Sequence, residues 1–398
     1  MTYPKVILHR HRVVALERRH PWLFSGAIQR IEGKATEGCV VDIYTPDNQY
    51  VATGHFQAGG SIAVRLLSFE QTPIDAHFWT QKIQLAYQYR QQLGLSVLSA
   101  TNVFRLINAE GDGLPGLIVD YYHGTAVVQM HTWGMYNAKN DICEALKNVL
   151  GNSLHAIYHK SAETLPKLKG SPDTIENGYL WGMTAVPSVV TENHHRFAID
   201  WETGQKTGFF IDQRLNRQLL ADYAQGKTVL NAFSYSGGFS VYALVAGALH
   251  VHSVDVSQKA IDLCNQNVAL NNFDSLQHQA ICDDVLKYLQ HNTTPYDIVV
   301  LDPPAFAKHL DARHKAVQGY KRLNVLGLKN VKPGGILFTF SCSAVVDRQL
   351  FYDTIVAAAI EVGRNIRVMH QLSQPPDHPI SIYHTEGHYL KGLVLYVE

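Results

Sequence analysis

The sequence predicts an α/β protein whose carboxyl-terminal half forms a Rossmann-like, doubly wound sheet. A small β-barrel or sandwich and an α+β domain are expected to precede it. The chain of 398 residues is too long for one hydrophobic core. Its beginning shows short strand patterns broken by turns, and after Asp200 strand and helix patterns alternate regularly. We therefore predict domains at residues 1–73, 74–195 and 196–398.

The first domain is predicted as β structure because apolar and polar residues alternate along three runs. These runs are "KVILHRHRVVAL", "CVVDIYTPDNQYVATGHF" and "SIAVRLLSF". A Pro-Asp-Asn turn and a Gly-Gly pair interrupt them, as is typical of short strands joined by tight connections.

The middle domain combines helix and strand patterns. "TPIDAHFWTQKIQLAYQYRQQLG" has apolar residues at helical spacing and ends at Gly94. "FRLINAEGDGLPGLIVDYY" and "TAVVQMHTW" then indicate strands around a Gly-Asp-Gly turn, and "DICEALKNVL" indicates another helix. This mixture predicts an α+β domain.

The third domain repeats a strand–helix unit five times. Its strand patterns are "TVLNAF", "HVHSVDV", "QHQAIC", "YDIVVLD" and "GGILFTFS", and each precedes a helix pattern. Such alternation is typical of a largely parallel sheet with helices on both faces. The chain closes with the strand-like run "YLKGLVLYVE".

Composition narrows the class of protein. With 46% hydrophobic and 17% charged residues, the chain resembles an ordinary globular protein, and no apolar run is long enough to span a bilayer. The amino-terminal residues lack the apolar core of a signal peptide. Five scattered cysteines without a C-x-x-C pair argue against disulfides and zinc clusters, and the 21 histidines show no metal-ligand spacing. We expect a cytoplasmic protein without a metal.

Charge is balanced over the whole chain but not along it. Residues 1–34 carry seven Lys and Arg side chains against two Glu, a net charge of +5, and Arg18 and Arg19 lie among them. A local basic patch can bind phosphates even in a neutral protein. A solvated surface is the other interpretation, and charge alone leaves both open.

Small and acidic residues follow the first three strands of the predicted sheet. Asn231 to Gly238 follow the first strand, Asp255 ends the second, and Asp283-Asp284 end the third. Ligands of doubly wound sheets bind beyond the carboxyl ends of the strands, where a carboxylate can accept ribose hydroxyls. Each feature alone has a structural explanation, a tight turn or a helix N-cap. Together they favour a nucleoside ligand. "NAFSYSGGFS" does not match G-x-G-x-x-G, which favours S-adenosylmethionine over NAD.

The fourth strand ends in a rigid corner, Asp302-Pro303-Pro304-Ala305-Phe306. Two prolines stiffen the backbone beside the cofactor. Phe306 could then stack on a nucleic-acid base, which contributes about 1–3 kcal/mol. A core position for Phe306 is the structural alternative.

The fifth strand ends in Ser341-Cys342-Ser343 rather than in the Gly, Asn or Asp usual for a turn. A lone cysteine is usually an inert core residue. Because neighbouring parallel strands end at one edge, however, Asp302 and Cys342 should face the same crevice. A thiolate that adds to carbon 6 of a pyrimidine makes carbon 5 nucleophilic toward a methyl sulfonium. The thiolate needs a positive neighbour, for which Lys308 and Lys321 are candidates.

These motifs resemble the ribosomal RNA large subunit methyltransferase I family, which makes 5-methylcytosine in 23S rRNA with S-adenosylmethionine. "RRHPWLFSGAI" is similar to the start of the family's RNA-binding PUA domain, and "FRLINAEGDGLPGLIVDYY" to its middle domain. "GQKTGFFIDQR", "DPPAF", "SCS" and "EGHYLKG" match segments of its class I methyltransferase domain. The resemblance spans nearly the whole chain.

The resemblance implies a role for individual residues. Cys342 would be the nucleophile, and Asp302 would lie against the pyrimidine. Phe306, Lys308, Arg18 and Arg19 would contact the RNA. The residues implied at the cofactor are Phe209, Asp212, Arg214, Asn231, Phe233, Ser236, Gly237, Asp255, Asp284, Asp302 and Pro303. The partner implied is 23S rRNA, without a membrane, and the resemblance allows a homodimer.

Several alternatives stay open in the sequence. RNA cytosine-5 enzymes of other families carry a second cysteine directly after the proline of the fourth-strand loop, but here Ala305 and Phe306 follow the prolines. The base that removes the carbon-5 proton is therefore unassigned. Methylation of a guanine or adenine nitrogen and a non-catalytic RNA-binding role are the competing functions. The target nucleotide, the oligomeric state and the form of rRNA acted on are equally undetermined.

Overall fold

A computed structural model describes residues 3–12, 18–167, 175–307 and 309–398. The chain divides into two compact units. The first unit comprises residues 1–193, 199–211 and 376–387, and the second comprises residues 194–198, 212–375 and 388–398.

The first unit begins with a six-stranded sheet in the order β2-β6-β5-β4-β1-β3. Its strands are β1 (Lys5–Leu8), β2 (Trp22–Phe24), β3 (Ile28–Glu32), β4 (Val40–Tyr44), β5 (Tyr50–Phe56) and β6 (Ile62–Ser68). β1 pairs in parallel with β4, and the other neighbours are antiparallel. Inward-facing aliphatic side chains such as Val6, Val41 and Val64 form its core. The alternating pattern of the sequence therefore predicts this sheet correctly.

A five-stranded sheet in the order β11-β10-β9-β8-β7 follows in the same unit. Asp75 caps the first helix by accepting a hydrogen bond of 3.0 Å from the Phe78 backbone N–H. The elements are α1 (Ala76–Gln92), β7 (Val103–Asn108), β8 (Leu117–Tyr122), β9 (Thr125–Met130), α2 (Trp133–Asn137), α3 (Lys139–Leu150), β10 (Ala156–His159) and β11 (Gly178–Gly182). Buried side chains of α1 and α3 join those of the strands in one core.

The chain returns to the first unit near its end. Residues 376–387 are fixed there because Arg90 donates a 2.8 Å hydrogen bond to the Asp377 carbonyl oxygen. The Asp377 carboxylate accepts a 3.2 Å hydrogen bond from the Arg105 N–H. The strands β12 (Ser188–Glu192) and β13 (His195–Ile199) lie where the chain passes from the first unit to the second.

The second unit contains a seven-stranded sheet in the order β16-β15-β14-β17-β18-β20-β19. β14 to β18 run parallel, and β20 is antiparallel to both of its neighbours. The strands are β14 (Thr228–Ala232), β15 (His250–Asp255), β16 (His278–Cys282), β17 (Tyr296–Leu301), β18 (Val331–Ser341), β19 (Ile366–Leu372) and β20 (Lys391–Val397). The strand order reverses at β14, which places a ligand crevice beyond its carboxyl end.

Helices form two groups around this sheet. They are α4 (Arg214–Ala224), α5 (Gly238–Val245), α6 (Gln258–Leu270), α7 (Val285–His291), α8 (Arg313–Lys329) and α9 (Arg348–Val362). α5 packs between α4 and α6, and α8 packs between α7 and α9. This arrangement confirms the predicted doubly wound α/β class. Within the described ranges, none of the helices combines the length and apolarity needed to cross a bilayer.

Candidate active site

Three adjacent parallel strands bring the predicted site residues to one edge of the sheet. Ala232 at the end of β14 pairs with Leu301 of β17, and Leu301 pairs with Thr339 of β18. The Asp302 N–H also lies 3.5 Å from the Ala232 carbonyl oxygen. The loops after these strands therefore share one crevice.

Asn231, near the end of β14, links this strand to helix α5. Its side-chain Nδ2 donates a 2.8 Å hydrogen bond to Ser240 Oγ on α5, and Ser240 lies 2.6 Å from Ser253 Oγ on β15. Asn231 is almost fully buried, and its Oδ1 atom has no hydrogen-bond partner among the described residues. A buried amide oxygen without a partner carries a free-energy cost that a ligand's hydrogen-bond donor would relieve.

The loop itself is held in an unusual backbone conformation. Phe233 and Tyr235 have φ values of 62° and 44°, a region that side chains other than Gly rarely adopt. Gly237 follows at 75°, and a Cβ atom there would lie 2.5 Å from Cys264 Sγ. The carbonyl oxygen of buried Ser236 accepts a 2.9 Å hydrogen bond from Asn267. Backbone strain of this kind is concentrated at functional sites.

Asp255 presents a partly exposed carboxylate at the end of β15. Its Oδ2 accepts a 2.9 Å hydrogen bond from the Tyr235 N–H, and its Oδ1 accepts a 3.0 Å hydrogen bond from the Ser257 N–H. Ser257, not Asp255, caps helix α6. These contacts orient the carboxylate and leave it additional lone pairs for ribose hydroxyls.

Asp284 has a structural role in addition to the predicted one. It is the N-cap of α7 and accepts a 2.9 Å hydrogen bond from the Lys287 N–H. The alternative interpretation of a strand-ending Asp, a helix cap, therefore applies here. Its side chain is exposed, and its cofactor role stays a prediction.

Cys342 lies beside the Asp-Pro-Pro loop. Its Sγ is 3.9 Å from the Pro303 carbonyl oxygen, a long sulfur hydrogen bond. The hydroxyl of Ser343 donates a 2.6 Å hydrogen bond to the Ala307 carbonyl oxygen and so ties the loop after β18 to the loop after β17. Ser341 and Ser343 are buried while Cys342 is partly exposed. The flanking serines are thus part of the core, while Cys342 keeps partial access to solvent.

Lys391 supplies a positive charge near Cys342 that the sequence pattern does not predict. It pairs with Ser341 at the start of β20, and its Nζ donates a 2.7 Å hydrogen bond to the Ser343 carbonyl oxygen. Burial lowers the pKa of Lys391 to about 8, and the charge on neighbouring Cys342 opposes that shift. By reciprocity, the ammonium favours the thiolate form of Cys342.

Lys308 and Lys321 are the predicted positive neighbours of Cys342, and neither is shown in that role. Lys321 on α8 forms an ion pair of 2.7 Å with Glu361 on α9. That pair lowers the pKa of Glu361, chiefly through the hydrogen bond from Lys321. The prediction for Lys308 falls outside the described residues.

Phe306 is half-buried against the core. Its ring centroid lies 4.5 Å from that of Tyr320 on α8, at an interplanar angle of 37°. One face of the ring therefore packs on the protein, which matches the structural alternative in part. Stacking of the partly exposed ring on a base stays a prediction.

The remaining predicted residues occupy both units. Asp212 and Arg214 are buried in the second unit, where Asp212 accepts a 2.8 Å hydrogen bond from Tyr389. Phe209 is buried in the first unit. Arg18 and Arg19 are exposed in the first unit, and Arg19 lines a cleft of about 350 Å³.

Comparison with known proteins identifies the family. Residues 161–391 match a family described as S-adenosylmethionine-dependent methyltransferase, and residues 6–69 match a PUA-like domain. Ribosomal RNA large subunit methyltransferase I of Aeromonas hydrophila is 38% identical over 396 residues, covering 98% of each chain. The chain belongs to the ribosomal RNA large subunit methyltransferase I family. The Salmonella arizonae member is 36% identical over 395 residues, which is 98% of this chain and 96% of that one.

Solved structures confirm the fold of this family member. A methyltransferase in complex with S-adenosylhomocysteine superposes with a TM-score of 0.84 at 24% identity, covering 100% of both chains. A methyltransferase from Streptococcus mutans gives a TM-score of 0.83, also at 24% identity and full coverage. The predicted PUA-like and Rossmann-like methyltransferase parts are confirmed.

S-adenosylmethionine is the cofactor of this methyltransferase domain. The polar groups of the crevice suit the uncharged adenosine part of S-adenosylmethionine. Asp255 offers oriented acceptors for ribose hydroxyls, and buried Asn231 Oδ1 and Ser234 Oγ have no partner among the described residues. A sulfonium carries no phosphate, so the loop after β14 needs no nest of amides for an anion.

Proposed function

We propose that this family member transfers a methyl group from S-adenosylmethionine to carbon 5 of a cytosine in 23S rRNA through a covalent adduct of Cys342. The observation that carries the proposal is the placement of Cys342 Sγ 3.9 Å from Pro303, at the edge where the β14, β17 and β18 loops meet. The names of the relatives support ribosomal RNA of the large subunit as the substrate.

The proposed reaction begins with the thiolate of Cys342. Its electron pair forms a bond to carbon 6 of the cytosine and makes carbon 5 nucleophilic. S-adenosylmethionine would supply an electrophilic methyl group, whose bond to sulfur breaks so that S-adenosylhomocysteine leaves. Carbon 5 gains this methyl group, a base removes the carbon-5 proton, and the electrons of that C–H bond restore the ring double bond. The bond between Cys342 and carbon 6 breaks, and the thiolate is regenerated.

Neighbouring residues have supporting roles in this proposal. Lys391 stabilises the thiolate before it adds and after it leaves, since its ammonium is fixed on the Ser343 carbonyl oxygen. Asp302 and Pro303 line the crevice from the β17 side, and Asp302 orients the pyrimidine. Asn231, Phe233, Ser236, Gly237, Asp255, Asp284, Asp212 and Arg214 are proposed cofactor contacts, as is Phe209.

RNA binding is proposed for the amino-terminal sheet. Arg18 and Arg19 are exposed in the unit that contains the PUA-like match. Arginines of this kind contact phosphates and position the RNA without reading its sequence. A homodimer stays a prediction, and sedimentation of the purified chain tests it.

The deciding experiment replaces Cys342 by Ala. The variant should bind S-adenosylhomocysteine in calorimetry as the wild type does, yet form no 5-methylcytosine in 23S rRNA from cells that lack the enzyme. Cys39→Ser, a cysteine of the first unit, is the matched control and should retain activity. Full methylation by Cys342→Ala would exclude the covalent route.

A second measurement tests the base. RNA that contains 5-fluorocytosine cannot lose a proton from carbon 5, so the methylated adduct should stay attached to the wild-type enzyme on a denaturing gel. Mass analysis of nucleosides from normal substrate should show 5-methylcytosine. A methylated guanine or adenine nitrogen instead would support the competing function.

A further inference from the structure

A cluster of possible metal ligands lies in the first unit, apart from the residues assigned to methyl transfer. His20 precedes β2, and His384 and Glu386 lie in the segment that returns to this unit near the end of the chain. One ligand atom from each residue lies within 4.8 Å of the other two. Because the three residues come from opposite ends of the chain, no ligand spacing is visible in the sequence.

The distances suit a small cation. Glu386 Oε1 is 3.5 Å from His20 Nε2, and Glu386 Oε2 is 3.7 Å from His384 Nε2. In a tetrahedral site with metal–ligand bonds of about 2.0–2.2 Å, neighbouring ligand atoms lie roughly 3.3–3.6 Å apart. The two separations involve different oxygens of the Glu386 carboxylate, and each imidazole lies near this edge length from one of them. The separations are also longer than good N–H···O hydrogen bonds.

His384 provides an independent indication of a missing partner. The residue is 4% exposed, and its Nε2 atom has no hydrogen-bond partner within the described part of the chain. This nitrogen lies 3.7 Å from Glu386 Oε2. A buried polar atom left without a partner is costly, and a bound cation would satisfy it.

Surrounding groups fix the two imidazoles. The Trp22 ring lies 4.4 Å from the His384 ring, and Trp22 Nε1 is held by a 2.8 Å hydrogen bond to Glu110. His20 Nδ1 accepts a 3.1 Å hydrogen bond from the Trp22 backbone N–H and also lies 3.3 Å from the Trp22 carbonyl oxygen. Nε2 binds a metal in the tautomer whose Nδ1 donates to that carbonyl, so metal binding exchanges the first hydrogen bond for the second.

The Glu386 side chain is about half exposed, which leaves a path for an ion from solvent.

We propose that His20, His384 and Glu386 bind a divalent transition metal such as Zn²⁺, with solvent as the fourth ligand. Two imidazoles and one carboxylate are donors that zinc accepts in tetrahedral sites. The ion would fasten the segment 381–387 to the loop before β2, within the first unit. It takes no part in methyl transfer.

The experiment uses the full chain, stripped of metal with a chelator and titrated with Zn²⁺ in a calorimeter. We expect one tight site per chain, and at least about tenfold weaker binding in Glu386→Gln and in His384→Gln. His77→Gln removes an exposed histidine on α1 and is the matched control, with unchanged affinity expected. Circular dichroism verifies that each variant is folded.

Two further measurements distinguish this site from adventitious binding to other histidines. Co²⁺ should give the intense visible bands of a tetrahedral complex with the wild type and not with Glu386→Gln. Zn²⁺ should raise the unfolding temperature of the wild type and not of that variant. Glu386→Gln keeps the test valid even if His384→Gln fails to fold, because Glu386 is exposed. Absence of saturable Zn²⁺ binding, or equal affinity in Glu386→Gln, would overturn the proposal.

Discussion

Lys391 Nζ donates a 2.7 Å hydrogen bond to the carbonyl oxygen of Ser343, the residue next to Cys342. The contact joins β20 to the loop after β18 and holds a buried ammonium on the side of the sheet where the thiol emerges. It is the structural basis for an activated cysteine in the proposed mechanism.

The first prediction concerns the reactivity of Cys342. Lys391→Met removes the ammonium, so the thiolate form of Cys342 should be less favoured and alkylation at neutral pH should slow about tenfold. Iodoacetamide labelling followed by mass spectrometry of the Cys342 peptide measures this rate across pH.

Lys321→Met is the matched control for this experiment, since that ammonium pairs with Glu361. Its Cys342 peptide should be labelled at the wild-type rate. Equal labelling of the wild type and Lys391→Met would show that Lys391 does not activate the thiol.

The second prediction is a pH dependence of stability. Because the folded-state pKa of Lys391 is lowered to about 8, the folded protein binds fewer protons than the unfolded chain between about pH 8 and 10.5, the ordinary pKa of lysine. The destabilising charge is fully present below pH 8 and is relieved as the pH rises through this window. The free energy of unfolding of the wild type should rise relative to Lys391→Met by up to about 3 kcal/mol across this window. Urea denaturation at pH 7 and at higher pH measures the difference, and parallel curves would contradict it.

The third prediction concerns the loop after β14. Gly237→Ala introduces a Cβ with a positive φ, 2.5 Å from Cys264 Sγ, and should destabilise the protein by about 2–4 kcal/mol. Gly363→Ala has a similar φ of 72° but no atom within 4 Å, so it isolates backbone strain at about 1 kcal/mol. Chemical denaturation compares the two. Similar losses would mean that contact with Cys264 is unimportant.

The fourth prediction separates the two roles of Asp284. Asp284→Ser retains an N-cap of similar quality, so thermal stability should be nearly unchanged. Loss of the carboxylate should weaken binding of S-adenosylhomocysteine several-fold in calorimetry. Asp255→Asn should weaken it at least about tenfold, since charged acceptors make the stronger hydrogen bonds. If Asp284→Ser binds as tightly as the wild type, Asp284 is a helix cap alone.

Much of the fold follows from local sequence pattern. Strand and helix periodicity place Asp302 and Cys342 at the ends of consecutive parallel strands, and such strands are commonly neighbours. The juxtaposition of their loops could therefore be predicted. The domain boundaries at residues 73 and 195 stay predictions.

Lys391 could not be predicted in the same way. β20 is the last strand in sequence but lies between β18 and β19, and no local pattern specifies that insertion. The position of Phe306 against Tyr320 also depends on tertiary packing. For Asp284 the position could be predicted but the role could not. An aspartate at the end of a strand suits both a helix cap and a ligand contact.

The insertion of β20 between two earlier strands has a consequence for biosynthesis. Until the ribosome has made β20, β18 has an unpaired edge and β19 has no neighbour to dock on. The sheet is consequently completed last by β20, the strand that carries Lys391. In the proposed mechanism, a nascent chain therefore lacks the ammonium beside Cys342 until β20 has docked.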